Sequence, residues 1–479
     1  MTYELRIENL TVRTADDTVL VSDVSLVCGP SNPICLIGET GSGKSLVMHA
    51  IMGSLPDSLS CDGKILLDGT DILPLSPQQR RELWGRKFAL LPQEPWLSLD
   101  PTMRVGAQVA ELYTDLRGIG RKQANQMAAD ELASVGLAGS FDAYPFELSG
   151  GMAQRVSIAM AHAAQSPIML ADEPTKGLDR ALCDVVADLL RGEVAAGRTL
   201  MVITHDLELA EKVGGTVGVM RKGRLLELGT ADQVLRNPSH DYSRELVAAL
   251  PANWPVRTPA RGEKSDDIVV AADSIGKSFG RNTLFSDVDV AIAKGQVTII
   301  LGPSGSGKST LGNILLKLIK PDAGHVSWGD DLPAMKYQKI YQDPPSAFIA
   351  GQTLGRAFAD LRKLHNIDGA RINAMLDQLG LDRGLLARRP DAISGGELQR
   401  FAIARSLLLD PVMLFADEAT SRLDPVSQKL VIDLLCAQVR DRGLALLLVT
   451  HDPDLAEHIA DHIIRISDGD HSSLAAKAA

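Results

Sequence analysis

The sequence predicts two tandem α/β domains, and three observations carry that prediction. Four short motifs occur twice, in the same order, along the 479-residue chain. In each half an apolar, strand-like run passes through a glycine-rich turn into a helix-like segment. Further on, each half has apolar runs that stop abruptly at carboxylates or a histidine. Buried parallel strands with polar carboxyl ends look like this.

The repeats fix the organisation. GETGSGKS begins at Gly38 and GPSGSGKS at Gly302, 264 residues later. LSGGMAQR at Leu148 is answered by ISGGELQR at Ile393, and MLADEPTKGLD at Met169 by LFADEATSRLD at Leu414, each 245 residues on. ITHD at Ile203 returns as VTHD at Val449, 246 residues on. The second copy is therefore about 19 residues shorter between its first two motifs and otherwise in step. A duplicated domain follows, with residues 1–250 as the first copy and 268–479 as the second. Between them, residues 251–267 (PANWPVRTPARGEKSDD) hold prolines, Gly262 and charges that suit an exposed linker. Helical-looking stretches at 105–137 and 354–381 predict a small helical subdomain in each half.

Composition narrows the function. Apolar residues make up 45% and charged residues 23%, the balance of a folded globular chain. The net charge of −11 argues against a general nucleic-acid binder, which needs basic surface to displace counterions. MTYELRIENL has neither the basic start nor the apolar run of a signal peptide. LALLLV, from Leu444, is far short of the roughly 20 residues that cross a bilayer. Any membrane spans would come from other subunits. Cys28, Cys35, Cys61, Cys183 and Cys436 lack CxxC spacing and fit thiols of a reducing cytoplasm better than a metal site.

The glycine-rich turns predict phosphate loops. In the first half these are Gly38, Glu39, Thr40, Gly41, Ser42, Gly43, Lys44 and Ser45; in the second, Gly302, Pro303, Ser304, Gly305, Ser306, Gly307, Lys308 and Ser309. Glycines let backbone N–H groups converge on phosphate oxygens, and the following helix adds its positive end. Lys44 and Lys308 would neutralise the β- and γ-phosphates, and Ser45 and Ser309 would hold Mg²⁺. A glycine-rich turn without a ligand is the plain alternative. The full eight-residue pattern, set between strand and helix in both copies, argues against it.

IMLADE and VMLFADE place Asp172 and Asp417 to bind metal through water, with Glu173 and Glu418 as general bases for the attacking water. One such pair alone could merely end a strand. His205 and His451 end the runs LMVITH and LLLVTH, where a side chain could contact the γ-phosphate.

With these residues in place, nearly the whole chain resembles the ATP-binding subunits of ABC transporters. The SGG motif is decisive, because phosphate loops alone occur in many NTPases. The resemblance implies a RecA-like P-loop NTPase core in each half, with an antiparallel β subdomain and a helical subdomain. It implies that each SGG segment completes the partner half's ATP site. Site one would join the first loop, Gln93, Asp172, Glu173 and His205 with Ser394, Gly395 and Gly396. Site two would join the second loop, Gln342, Asp417, Glu418 and His451 with Ser149, Gly150 and Gly151. Gln93 and Gln342 would also serve the metal, and Asp179 and Asp424 match the loop that links the two sites. ATP would clamp the halves together and hydrolysis would part them, with fusion favouring closure through effective concentration.

QEPWLSLDP after Gln93 and NPSHDYSRELVAALP from Asn237 look like the peptide/nickel importer group. That likeness implies two membrane permease subunits, an extracytoplasmic solute-binding protein, and a peripheral place on the cytoplasmic face of the inner membrane. The cargo, peptide or nickel and other metal chelates, stays open, since the ATPase does not touch it.

The halves depart from each other at one point. Members of the family carry an aromatic residue ahead of the phosphate loop that stacks on adenine. Phe279 fits this in the second half, whereas the first offers Thr14. Lost stacking costs about 1 kcal/mol, so site one is expected to bind ATP more weakly. No cysteine lies between Cys183 and Cys436, so no iron–sulfur cluster is expected. Three rivals stand against the importer: a fused ATPase acting on ribosomes or DNA, a non-catalytic regulatory pair, and an exporter motor. The short linker and acidic balance oppose the first, the intact glutamates and histidines the second, and the importer-like loops the third.

Overall fold

The computed structural model describes residues 3–176, 178, 180–255, 267–280, 282–303, 305–329, 332–421, 423–466 and 477–478. The chain divides into two compact units, Met1–Val247 and Ala248–Ala479, each holding two sheets.

The strands of the first unit are β1 (Leu5–Thr14), β2 (Val19–Cys28), β3 (Ile34–Ile37), β4 (Leu59–Leu67), β5 (Thr70–Asp71), β6 (Phe88–Leu91), β7 (Ile168–Asp172), β8 (Thr199–Thr204), β9 (Thr216–Arg221) and β10 (Arg224–Thr230). β1 alternates buried Leu5, Ile7, Leu10 and Val12 with solvent-facing residues, broken by a bulge near Asn9. It lies at the middle of the antiparallel sheet β2-β1-β4-β5. β3 and β8 are buried along their whole length, so they read as unbroken apolar runs. They sit side by side in the larger sheet, ordered β10-β9-β3-β8-β7-β6, in which β9, β3, β8, β7 and β6 are mutually parallel. Parallel pairing of β3 with β8 and β8 with β7 brings the residues after each strand to one sheet edge. Lys44, His205 and Asp172 reach the same place for this reason.

The second unit repeats the plan with β11 (Ile268–Phe279), β12 (Asn282–Ala293), β13 (Val297–Leu301), β14 (Ala323–Trp328), β15 (Tyr337–Ile340), β16 (Met413–Asp417), β17 (Ala445–Val449), β18 (His462–Arg465) and β19 (Lys477–Ala478). Its sheets run β12-β11-β14 and β15-β16-β17-β13-β18-β19. β13, β16 and β17 are buried throughout.

Both predicted helical stretches are helical. Val105–Glu111 continues through a π turn, Leu112–Leu116, and is followed by Arg121–Ser134. Ala124, Ala128 and Leu132 bury one face against Val105, Val109 and Val156. The second unit has Leu354–His365 and Gly369–Gln378, with Phe358 edge-on to Phe401 at 5.9 Å between ring centres. Among the described residues no helix is long and apolar enough to cross a membrane.

The seam departs from the expected exposed linker. Pro251 is buried, and Trp254 is only 7% exposed, packed in the core of the second unit with its Nε1–H donating to the Ala249 carbonyl at 2.9 Å. Burying a large aromatic ring is worth about 2 kcal/mol or more, which outweighs the local preference of prolines for a loop. Residues 256–266 of the expected linker lie outside the described residues. Of the cysteines, Cys28, Cys35 and Cys436 are buried, while Cys61 and Cys183 are partly exposed.

Candidate functional site

Each phosphate loop leaves its strand and closes on itself. Gly43 and Gly307 take left-handed backbone, φ 96° and 93°, immediately before the helices Lys44–Met52 and Lys308–Leu315. A side chain there would be strained, and glycine is not. A Cβ on Gly38 would lie 2.1 Å from the Met220 carbonyl oxygen, and one on Gly302 would lie 2.6 Å from that of Ile466. The loops therefore press directly on the strand or chain segment beside them.

The two lysines are buried and turned inward. Lys44 Nζ donates to the carbonyls of Gly38 at 2.7 Å and Glu39 at 2.9 Å, and to Ser42 Oγ at 3.2 Å. Lys308 Nζ donates to the carbonyls of Gly302 at 2.9 Å and Pro303 at 2.7 Å. The first loop is propped from outside by Tyr242, a buried side chain whose hydroxyl accepts from the Glu39 N–H at 3.2 Å. Thr40, Gly41 and Gly305 complete the turns; Ser304 lies outside the described residues.

Ser45 and Asp172 meet loosely, Oγ to Oδ1 at 3.5 Å, while Ser309 and Asp417 meet at 2.7 Å. Glu173 and Glu418 both adopt left-handed backbone at φ 49°, a conformation that costs a non-glycine residue about 1 kcal/mol or more. That turn carries each carboxylate back to the end of the neighbouring strand. Glu173 Oε2 lies 2.6 Å from His205 Nδ1 and accepts the His205 backbone N–H at 3.2 Å. Glu418 Oε1 lies 2.6 Å from His451 Nε2, so the two halves use different ring nitrogens. Gln342 Nε2 donates to Glu418 Oε2 at 2.5 Å. Among the described residues Gln93 makes no matching bond to Glu173.

Charge follows this geometry. Burial works against an ionised Glu173, but the His205 imidazole holds its carboxyl below the usual value. Burial likewise works against a charged His205, and Glu173 raises it. Glu418 is also held low against its burial, by the His451 hydrogen bond and charge and by Lys308. Both glutamates are thus kept ionised and able to take a proton. Asp172 is different: burial, then the adjacent Glu173, push it up to about 6.

The SGG segments open helices. Ser149 caps Gly150–Ala163, accepting from Met152 N–H at 3.3 Å. Ser394 caps Gly395–Leu407, and Glu397 bonds back to it at 2.5 Å, which Met152 cannot do. Gly151 and Gly396 lie in these first turns. Asp424 is buried and caps the helix Pro425–Arg442 through the Ser427 N–H at 3.0 Å; Asp179 lies outside the described residues. Phe279 ends β11, the residue 55% exposed, with Lys277 Nζ 5.5 Å from its ring centre. Thr14 ends β1, its hydroxyl accepting the Thr18 N–H at 3.1 Å.

The residues fit a magnesium nucleotide. Buried lysines, glycine-rich loops leading into helix N-termini, and serine–aspartate pairs at the strand ends form its donor set. Ser306 Oγ, buried in the second loop, has no hydrogen-bond partner among the described residues, and a phosphate oxygen would satisfy it.

Sequence reasoning missed one residue here. Lys339, on β15, sets its Nζ 3.0 Å from Asp417 Oδ2 and 2.9 Å from Asn313 Oδ1. A lysine inside YQKI, where the first half has the apolar FALL, was the available signal.

Comparison with known proteins identifies the family. The family model described as ABC transporter matches residues 21–176 and 285–421. A peptidoglycan transport ATP-binding protein, YejF, of Agrobacterium fabrum is 34% identical, over 94% of this chain and 88% of its own length. A glutathione import ATP-binding protein, GsiA, of Escherichia coli is 31% identical, over 96% of this chain and 84% of its own. Among solved structures, an RNase-L inhibitor matches 96% of this chain and 87% of its own with TM-score 0.67 and 21% identity, a likeness of fold.

Proposed function

This chain belongs to the ABC transporter family and is an ATPase, and from that premise we propose that it powers an importer of peptide-type solutes. The observation that carries the catalytic part is the pair of ionised glutamates, each hydrogen-bonded to a histidine beside a phosphate loop. Glu173 and Glu418 accept the proton of the attacking water. Lys44, Lys308 and the loop N–H groups hold the phosphates. His205 and His451 orient the glutamates and face the terminal phosphate. Magnesium, when bound, offsets phosphate charge; Ser45 with Asp172, and Ser309 with Asp417, would hold it, with Gln93 and Gln342 alongside.

The helix N-termini at Ser149 and Ser394 would each cap the nucleotide held by the other half, as the family resemblance implies. Phe279 would stack on adenine in site two. The chain would sit on the cytoplasmic face of the membrane through two permease subunits, fed by an extracytoplasmic binding protein.

The named cargoes of the two relatives, peptidoglycan and glutathione, both contain peptide, which favours peptides over nickel. Co-purification with its permeases, followed by uptake into vesicles, tests this. ATP-dependent uptake of short peptides, lost in the E173Q/E418Q double variant, is the expected result. Uptake of nickel chelate alone would overturn the cargo, and absence of any permease complex would overturn the importer.

A further inference from the structure

The carboxylates expected to hold metal are not equivalent, and only the second is locked in a close ion pair from a neighbouring strand among the described residues. In the second unit both oxygens of Asp417 are engaged. Oδ1 accepts from Ser309 Oγ at 2.7 Å, and Oδ2 faces Lys339 Nζ at 3.0 Å. The ion pair is built rather than incidental. The two side chains are 11% and 7% exposed, and the ammonium also donates to Asn313 Oδ1 at 2.9 Å. Lys339 reaches Asp417 because β15 and β16 are parallel neighbours, with Lys339 beside Phe415, two residues before the aspartate.

The first unit has no lysine at the matching strand position; the ammonium charges that reach Asp172 come from Lys44 and Lys176. The residue three before its glutamine is Leu90, 41% exposed. Asp172 meets Ser45 only at 3.5 Å. A dication is drawn to a carboxylate by charge, and a fixed ammonium beside that carboxylate opposes it, strongly where water is scarce.

We propose that Lys339 sets the metal affinity of the second nucleotide site and holds it well below that of the first. Lys339 is thus a positioning residue: it acts through Asp417 and makes the two sites unequal in metal demand. This rests on the reading of both loops as magnesium-nucleotide sites.

The test uses the full chain in the E173Q/E418Q background with ATP present. Adding K308A leaves site one to bind, and adding K44A leaves site two. Bound manganese is read by electron paramagnetic resonance across a titration. Site two should bind Mn²⁺ about tenfold more weakly than site one, and K339M or K339Q should close most of that gap. Two substitutions guard against one that fails to fold, and Leu90 shows that this strand position accepts an apolar side chain in the other half. Equal affinities at the two sites, or a gap unchanged in both Lys339 variants, would overturn the inference alone. No manganese at site one would overturn the magnesium-nucleotide reading and the inference together.

Discussion

Glu173 and His205, which follow neighbouring parallel strands, are joined at 2.6 Å through Oε2 and Nδ1. A glutamate at φ 49° is tolerated there because the bond and the His205 backbone N–H both reward the turn. The bond keeps the carboxylate charged and fixes where it points, the two properties a general base needs.

Removing that base should separate binding from turnover. E173Q and E418Q together are expected to lower ATP hydrolysis by about 10²- to 10⁴-fold while ATP still binds. Steady-state phosphate release and equilibrium nucleotide binding check the two halves of the statement. Hydrolysis at the wild-type rate would remove both glutamates from the chemistry.

The same bond makes stability depend on pH. A histidine raised on folding lends stability that is complete below its ordinary 6.5 and fades as pH climbs through the raised value. A glutamate lowered on folding lends stability that is complete above its ordinary 4.5 and fades as pH falls through the lowered value. The loss of melting temperature in H205A should therefore be greater near about pH 6 than near about pH 9. A loss independent of pH would mean that His205 contributes packing alone.

Neutralising the two metal-site aspartates should act in opposite directions. Asp172 is raised from 3.8 to about 6, so its ionised form burdens the metal-free fold above that range and costs nothing below 3.8. D172N is expected to stabilise by up to about 3 kcal/mol at neutral pH in chelator, with the gain vanishing on acidification. D417N instead strips a buried ammonium, Lys339, of its counter-charge and should destabilise by about 3 kcal/mol or more. Chemical denaturation of the two variants compares the signs directly.

The aromatic difference ahead of the loops predicts unequal nucleotide affinity. F279A should weaken binding at site two by about 1 kcal/mol, roughly fivefold. T14F should strengthen site one by a similar factor. Fluorescent-nucleotide titration of proteins with the other loop blocked by K44A or K308A reads each site alone.

The architecture and most of the candidate site were legible because phosphate binding needs particular residue types close together in sequence. A loop such as Gly38 to Ser45 carries its chemistry within one turn, and so do the Asp–Glu pairs. What escaped depends on partners set by sheet order. Lys339 meets Asp417 only because their strands are neighbours. Gln342 is drawn onto Glu418 while Gln93 is not matched in this way, though the two glutamines look alike in sequence. Trp254 reads as part of a proline-rich linker, and only the hole it fills in a distant core reveals its role.

That tryptophan has a practical consequence for anyone who splits the gene. A recombinant second half begun at Ile268, where the duplicated pattern restarts, would lack the indole that plugs its hydrophobic interior and the Ala249 carbonyl that anchors it. Starting the fragment at Ala248 keeps plug and anchor together, so the right place to cut lies upstream of the point at which the repeat itself begins.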